Sequence, residues 1–184
     1  MKEIDLNTII TTNRLQLRAT SLSDIEFVWS ATRFEGFNNN MNWEPPESKK
    51  ALVPILEKNI EAWMNGDSYI FTVELLDAKL PIGRVAIRKE RSPTIWSIGY
   101  WVHPEFWNNG YATEAARAII DFGFTELNAS SITTAHALSN SASKRVIEKL
   151  GFIFIRENPR GFIKAGKPIA EREYAINNKQ LYLL

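Results

Sequence analysis

Three runs rich in β-branched and aromatic residues follow one another with little between them: YIFTVELL (69–76), IGRVAIRK (82–89) and IWSIGYWV (95–102). The connections are only DAKLP and a turn at RSPT. Connections so short leave no room for a crossover, so the three runs read as neighbouring antiparallel strands. The chain leaves the third run through HPEF and enters WNNGYATEAARAIIDFGF (107–124), which opens permissively and becomes a clean amphipathic helix to about Phe124. Asn tolerates positive φ, and Gly does so at no steric cost. A loop of this kind is either a tight turn or a cradle for a ligand.

Other elements flank this block. NRLQLRAT alternates Leu15 and Leu17 with Arg14, Gln16 and Arg18, as a half-buried strand does. Ser21 and Asp24 read as a capping box ahead of a helical face of Ile25, Val28 and Trp29. A loop rich in Asn and Pro, EGFNNNMNWEPPES, carries Phe37, Met41 and Trp43, which either pack the loop down or line an acceptor pocket. A second helix starts near Ser48, tolerates Pro54 in its first turns, spaces Leu52, Leu56, Ile60 and Trp63 helically and stops at Asn65-Gly66-Asp67. Trp29 and Trp63 are expected in the core. SITTAH is a short strand, NSASKRVIEKLG a helix with a Gly stop, and FIFIRENPRGFIKAGKPIAEREYAI a closing hairpin. No repeat or linker interrupts the 184 residues, so a single domain over 1–184 is expected, with an α+β mixed sheet of about six to seven mostly antiparallel strands flanked by helices.

Composition removes several chemistries. There is no cysteine, which excludes disulfides, thiol nucleophiles and zinc–thiolate sites. His103 and His136 are too few for a His-rich metal site, so no metal is expected. A formal net charge of +1 disfavours nucleic acid as the main partner. The N-terminus lacks the apolar core of a signal peptide, and no stretch reaches the roughly 20 apolar residues of a membrane span. A soluble cytoplasmic protein without a membrane partner is expected.

A glycine-containing loop opening a helix presents free backbone N–H groups at the positive end of the helix dipole, an arrangement suited to phosphate. Asn108 and Asn109 can turn their amides toward such a ligand, and Thr113 adds a hydroxyl. No G-x-G-x-x-G dinucleotide fingerprint is present. GFIKAGK (161–167) imitates a P-loop, but Pro168 stands where Ser or Thr is needed and the segment lies in a hairpin, so it is rejected as a nucleotide site.

The stretch IGYWVHPEFWNNGYATEA resembles the cofactor-binding core of the GNAT acetyltransferases, most of all the RimJ/RimL-type branch. Gly110 and Ala112 match the Q/R-x-x-G-x-G/A pattern, with Trp107 in place of Q/R as is usual in that branch. Asn108 and Asn109 depart from the branch's W-G-K-G-Y, and a lysine charge near the phosphates is lost. NSASKRVIEKLGF (140–152) resembles the N-x-x-S block followed by a helix ending K-L-G-F; RLQLR and MNWEPP fit as well. The resemblance spans almost the whole chain. It implies the GNAT acyl-CoA N-acyltransferase fold, acetyl-CoA as cosubstrate and a primary amine as acceptor, either a protein N-terminus or a small molecule.

The resemblance also implies site residues. Trp101 and Val102, where the strand splays from its neighbour, would offer backbone groups to the pantetheine arm. Asn108, Asn109, Gly110, Tyr111, Ala112 and Thr113 would hold the pyrophosphate. Asn140 would bond the pantetheine arm, and Ser143 would sit near the sulfur. Ile147 stands where many GNATs carry a tyrosine acid, so the leaving thiolate falls to Ser143. Ser97 stands where the branch often carries a basic glutamate; Glu44, His103 and Glu105 are substitutes, and Glu171 and Glu173 shape the acceptor side. The reaction must deprotonate an amine, with reference pKa ~8 for an α-amine and ~10.4 for lysine, stabilise the thioester oxygen and protonate the thiolate. Without cysteine or a serine triad, direct attack in a ternary complex is expected over an acyl-enzyme. An acyl-CoA-binding sensor without turnover and a nucleotide-phosphate binder are the alternatives. A monomer or a homodimer is compatible with the sequence.

Overall fold

The computed structural model describes residues 4–178. In chain order the strands are β1 (Ile9–Thr11), β2 (Leu15–Ala19), β3 (Ser68–Leu75), β4 (Pro81–Lys89), β5 (Ile95–Val102), β6 (Ser131–Ala137), β7 (Ile153–Lys164) and β8 (Lys167–Asn177). The helices are α1 (Ile25–Thr32), α2 (Lys49–Met64), α3 (Tyr111–Thr125) and α4 (Ser141–Lys149). The strands form one sheet in the order β1-β2-β3-β4-β5-β6-β8-β7. The strand beyond expectation is β1, three residues long, which is too short for alternation to mark it.

Local chemistry sets the element ends. Ser48 caps α2 by accepting from the Ala51 N–H at 3.3 Å. Ser21 and Asp24 do form a capping box, but on a 3-10 turn (Leu22–Asp24) that leads into α1. Asp24 does more than cap. It is buried, and it accepts from Arg18, Ser21 N–H and Thr72. Arg18 in turn reaches Glu74.

Side chains alternate across the sheet and sort into two cores. Trp96, Ile98, Val85, Ile87, Tyr69 and Phe71 belong to the main cluster with Ala116, Ile119 and Phe122 of α3. On the other face Val28, Leu52 and Leu56 from α1 and α2 gather with Trp101. Trp63 is core as expected, 2% exposed, with its indole N–H on the Ile4 carbonyl at 2.8 Å. Trp29 is not. It is half-buried under the Arg33 guanidinium, 4.0 Å from its ring centroid, because an eight-residue helix on the sheet's outer layer turns only its Val28 side fully inward.

The feature that positions the site is the one parallel pairing. All other neighbours are antiparallel, but β5 and β6 run parallel and pair only at Ile95–Ser97 with Ser131–Thr133. Thr134 Oγ1 still reaches the Ile98 carbonyl at 3.2 Å. Beyond that point β5 stays with β4 while β6 stays with β8, and the sheet divides.

Candidate active site

A cavity of about 1430 Å³ fills the division. A site for one drug-sized ligand measures about 300–1,000 Å³, so this cleft has room for two substrates. One end is the start of α3. Gly110 is its N-cap, left-handed at φ +80°, and no side chain caps the first turn. Asn108, at φ +64°, is left-handed too. The turn therefore uses the backbone freedom that Asn and Gly supply, and it leaves the first N–H groups of α3 to a ligand. Asn108, Gly110, Tyr111, Ala112 and Thr113 all line the cavity. Uncapped N–H groups at a helix N-terminus fit a pyrophosphate.

Asn109 behaves differently from expectation. Its amide turns back on its own loop and donates to the Phe106 and Trp107 carbonyls at 3.2 and 3.0 Å. It braces the cradle and does not line the cavity. A second brace comes from the turn between β1 and β2, and the sequence reading missed it. Arg14 donates to the Asn109 carbonyl at 3.1 Å, pairs with Glu114 at 2.6 Å and lies 4.6 Å over the Tyr111 ring. Arg14 thus stands beside Gly110 as half of an ion pair, and it braces the turn without restoring the lysine charge that the branch carries.

Trp101 and Val102 lie where β5 has left β6. Trp101 stacks on Phe27 with ring centroids 5.4 Å apart and meets Phe37 edge-on. The Val102 carbonyl accepts from the Trp107 indole at 2.7 Å, so one of its lone pairs is already in use. Phe37 is buried rather than exposed, while Met41 and Trp43 are half-buried; all three line the cavity, so the loop both packs down and forms a wall.

Opposite the cradle, Asn140 caps α4, its Oδ1 accepting from the Ser143 N–H at 3.0 Å. Ser143 therefore stands in the first turn with its hydroxyl toward the cavity. There Tyr100, from β5, brings its phenol to 3.0 Å from Ser143 Oγ. Burial pushes the Tyr100 hydroxyl up to about 12, against the smaller downward pull of Ser143, so it stays protonated. The tyrosine absent at Ile147 of α4 is matched by one arriving from the strand. Adjacent residues of a strand face opposite sides, so Tyr100 and Trp101 project from different faces of β5.

The substitutes for a base fare unequally. His103 is 5% exposed among Phe27, Phe34 and Phe106, with Nε2 3.2 Å from Ser30 Oγ. Desolvation pulls its pKa down, and neither it nor exposed Glu105 lines the cavity. Both are parts of a turn. Glu44 accepts from the Ala165 N–H and pairs with Lys164 at 3.3 Å, contacts that hold its carboxyl below the usual range and tie the loop to the tip of the β7–β8 hairpin.

Glu171 and Glu173 both face the cavity from β8, yet their surroundings pull them apart. Arg156 at 2.8 Å, with Asn158, holds the Glu173 carboxyl low. Desolvation, then the Glu173 charge, pushes Glu171 up. No hydrogen bond reaches the Glu171 carboxylate among the described residues. It lies where a side chain at residue 161 would otherwise be: a Cβ on Gly161 would collide with it. Register shifts between Asn158 and Phe162, and this bulge brings Gly161 there. Among the described residues, no three His, Asp or Glu side chains gather as metal ligands, and no helix is long and apolar enough to cross a membrane.

The fold is thus marked by a sheet split at one parallel pair, with an uncapped helix start at one mouth of the split and ionisable groups at the other. Comparison with known proteins agrees. The acetyltransferase (GNAT) domain family matches residues 14–153. The uncharacterised N-acetyltransferase YnaD of Bacillus subtilis (strain 168) is 32% identical over 146 residues, covering 77% of this chain and 81% of its own. The crystal structure of a GNAT-family acetyltransferase from Bacillus anthracis superposes with a TM-score of 0.83 at 25% identity, over 94% of this chain and 99% of that one. RimL, a ribosomal L7/L12 alpha-N-protein acetyltransferase solved with coenzyme A, shares the fold with a TM-score of 0.84 at 17% identity, over 92% and 98% of the two chains. The chain belongs to the GNAT acetyltransferase family and is an N-acetyltransferase.

Proposed function

We propose that the protein transfers an acetyl group from acetyl-CoA to a primary amine, a protein N-terminus or a small molecule, by direct attack in a ternary complex. The observation that carries this reading is that one continuous cavity holds the uncapped start of α3, the Ser143–Tyr100 hydroxyl pair and the unpaired carboxylate of Glu171. Acetyl-CoA, when bound, supplies the acetyl group activated as a thioester. Gly110 to Thr113 hold its pyrophosphate through backbone N–H groups, Asn108 lines the same turn and Asn109 braces it. Asn140, Trp101 and Val102 flank its pantetheine arm.

Glu171 takes the proton from the incoming ammonium and passes it to solvent. The nitrogen lone pair then forms the C–N bond as the C–S bond breaks, with the electron pair leaving on sulfur. Ser143, backed by Tyr100, gives sulfur its proton, and the second nitrogen proton leaves through Glu171; the hydroxyl is refilled from solvent. One proton is released per turnover. Two like groups pushed apart in pKa, as Glu171 and Glu173 are, mark an acid–base assignment. The sensor alternative rested on Ser97 and Ile147; Glu171 and Tyr100 take over the roles those two leave open.

The test is release of CoA thiol with a panel of peptide N-termini and small amines. Because the chain has no cysteine, a thiol reagent sees CoA alone. Amine-dependent release supports transfer. Acetyl-CoA binding with no release from any amine would favour the sensor.

A further inference from the structure

Arg88 stands on β4 and faces the cavity on the side of Trp101 and the α1–α2 loop. Its guanidinium reaches along β5: a Cβ built on Gly99 would lie 3.3 Å from Arg88 Nη1. Gly99 lies two residues past Ser97, the last residue of β5 to pair with β6. The charge is therefore held at the point where the sheet opens, and the missing side chain at Gly99 gives it room.

Several nearby cations have partners, whereas Arg145 and Lys149 of α4 line the same cavity and, like Arg88, make no side-chain hydrogen bond or ion pair among the described residues. Arg18 is paired with Asp24 and Glu74, Arg84 with the Thr20 hydroxyl, Arg156 with Glu173 and Lys164 with Glu44. Arg88 makes no hydrogen bond or ion pair among the described residues. Arg88 is an exposed residue of the cavity wall; partial desolvation there lowers its pKa, with the Glu90 charge opposing. An arginine so placed remains a cation at neutral pH.

The register explains the missing partner. Arg88 lies directly opposite Ser97, at a cross-strand Cβ distance of about 5 Å. A glutamate at residue 97, expected from the resemblance, would face the guanidinium. Serine brings no charge. Glu90, just past the end of β4, acts on Arg88 through its charge without forming an ion pair, so the planar fork is left to match a carboxylate in two hydrogen bonds.

We infer that Arg88 binds a carboxylate of the acceptor, so that the acceptor is an amine that also carries a carboxylate. With Glu171 in the same cavity, the acceptor's two charges are bound by two protein charges of opposite sign, and the amine is oriented by its acid. A free amino acid and an acidic peptide N-terminus share this chemistry. The inference rests on the proposed acetyl transfer.

The experiment compares wild type, Arg88→Met and Ser97→Glu. Calorimetry measures acetyl-CoA affinity of each, and thiol release measures kcat/KM for acceptor pairs that differ in one carboxylate. Free amino acids against their amides form one arm; tetrapeptides beginning Ser-Glu against Ser-Gln form the other, and the arm with the preference identifies the source. Wild type should favour the acid member at least tenfold, mainly through KM. Arg88→Met should lose the preference by removing the guanidinium, and Ser97→Glu should lose it by occupying the guanidinium. Acetyl-CoA affinity should be the same in all three. Equal use of acid and amide by wild type, a preference retained in Arg88→Met, no turnover of any acid-bearing amine, or weakened acetyl-CoA binding in Arg88→Met would each overturn the inference. A wild type that does not bind acetyl-CoA would overturn the proposed function first, and this inference with it.

Discussion

Two hydroxyls meet at Ser143, and their order matters. The cap on α4 fixes the serine backbone, and the 3.0 Å contact with Tyr100 fixes its Oγ. Ser143→Ala should therefore lower kcat by about 10²-fold or more, the size of a lost general acid, with acetyl-CoA affinity retained. Tyr100→Phe acts through Ser143, so its loss should be smaller, about tenfold, and confined to kcat; steady-state kinetics with calorimetry separates the two effects. As the proposed proton acceptor, Glu171 should set the pH dependence. Its carboxyl accepts a proton only when ionised, and its pKa is raised, so kcat/KM should fall as pH drops through a value above the usual glutamate range. The groups facing it bear on the sign: Glu173 on its own strand raises it, Asn158 and Gly161 on β7 and Ala137 on β6 are uncharged, and Arg156 is held by Glu173. Replacing Glu173 by Gln should move the acidic limb to lower pH. An unmoved limb, or one that survives Glu171→Gln, would exclude this assignment. Ser143 was legible as the serine of an N-x-x-S block. Glu171 was legible as a residue shaping the acceptor side, but its separation from Glu173 in pKa was not, since that depends on a bulge that moves β7 by register; nor was the Tyr100 contact, which depends on how β5 packs against α4.

The start of α3 shows how an element becomes a binding site. Gly110 at φ +80° is open: a Cβ there meets nothing nearer than Arg14 Nη2 at 3.6 Å. A β-branched residue would still be strained, since L-residues lose roughly 1–2 kcal/mol in that conformation. Gly110→Val should weaken acetyl-CoA at least tenfold without unfolding the protein, read by calorimetry beside circular dichroism. The permissive letters NNG announced this turn, but they did not announce Arg14, which arrives from a hairpin far earlier in the chain. The α1 entry makes a separate prediction about stability. Burial alone would raise the Asp24 pKa, but Arg18, the Ser21 N–H and Thr72 outweigh it and hold the pKa low. A depressed carboxylate contributes stability that is full above its unfolded value, near ~3.9, and lost as pH falls through the folded one. Asp24→Asn should destabilise by roughly 3 kcal/mol at neutral pH, because Arg18 and Arg84 lose their buried counter-charge. Its stability should also vary less with acid than that of wild type. Urea melts at pH 7 and pH 3 measure both.

Across the whole molecule the consequential event is the division of one sheet along a pairing only three residues long on each strand. The meander of β3, β4 and β5, the helices and the closing hairpin followed from alternation, turn residues and caps. The order β6-β8-β7 and the splay did not, because alternation marks a strand without naming its neighbour. The cleft is thus a property of topology, whereas its contents are properties of single residues: the left-handed turn at Asn108 and Gly110, the Ser143–Tyr100 hydroxyl pair and the Glu171 carboxylate, to which the proposed function gives the roles of cradle, proton donor and proton acceptor. Acetyl-CoA binding joins these scales, since it requires the cradle and the split at once. Titration calorimetry of the purified protein with acetyl-CoA, with ATP as control, is the most direct test. Binding in the micromolar range to acetyl-CoA and none to ATP is the expected result. Failure to bind acetyl-CoA, or equal binding of ATP, would contradict the assignment of the α3 cradle to coenzyme A.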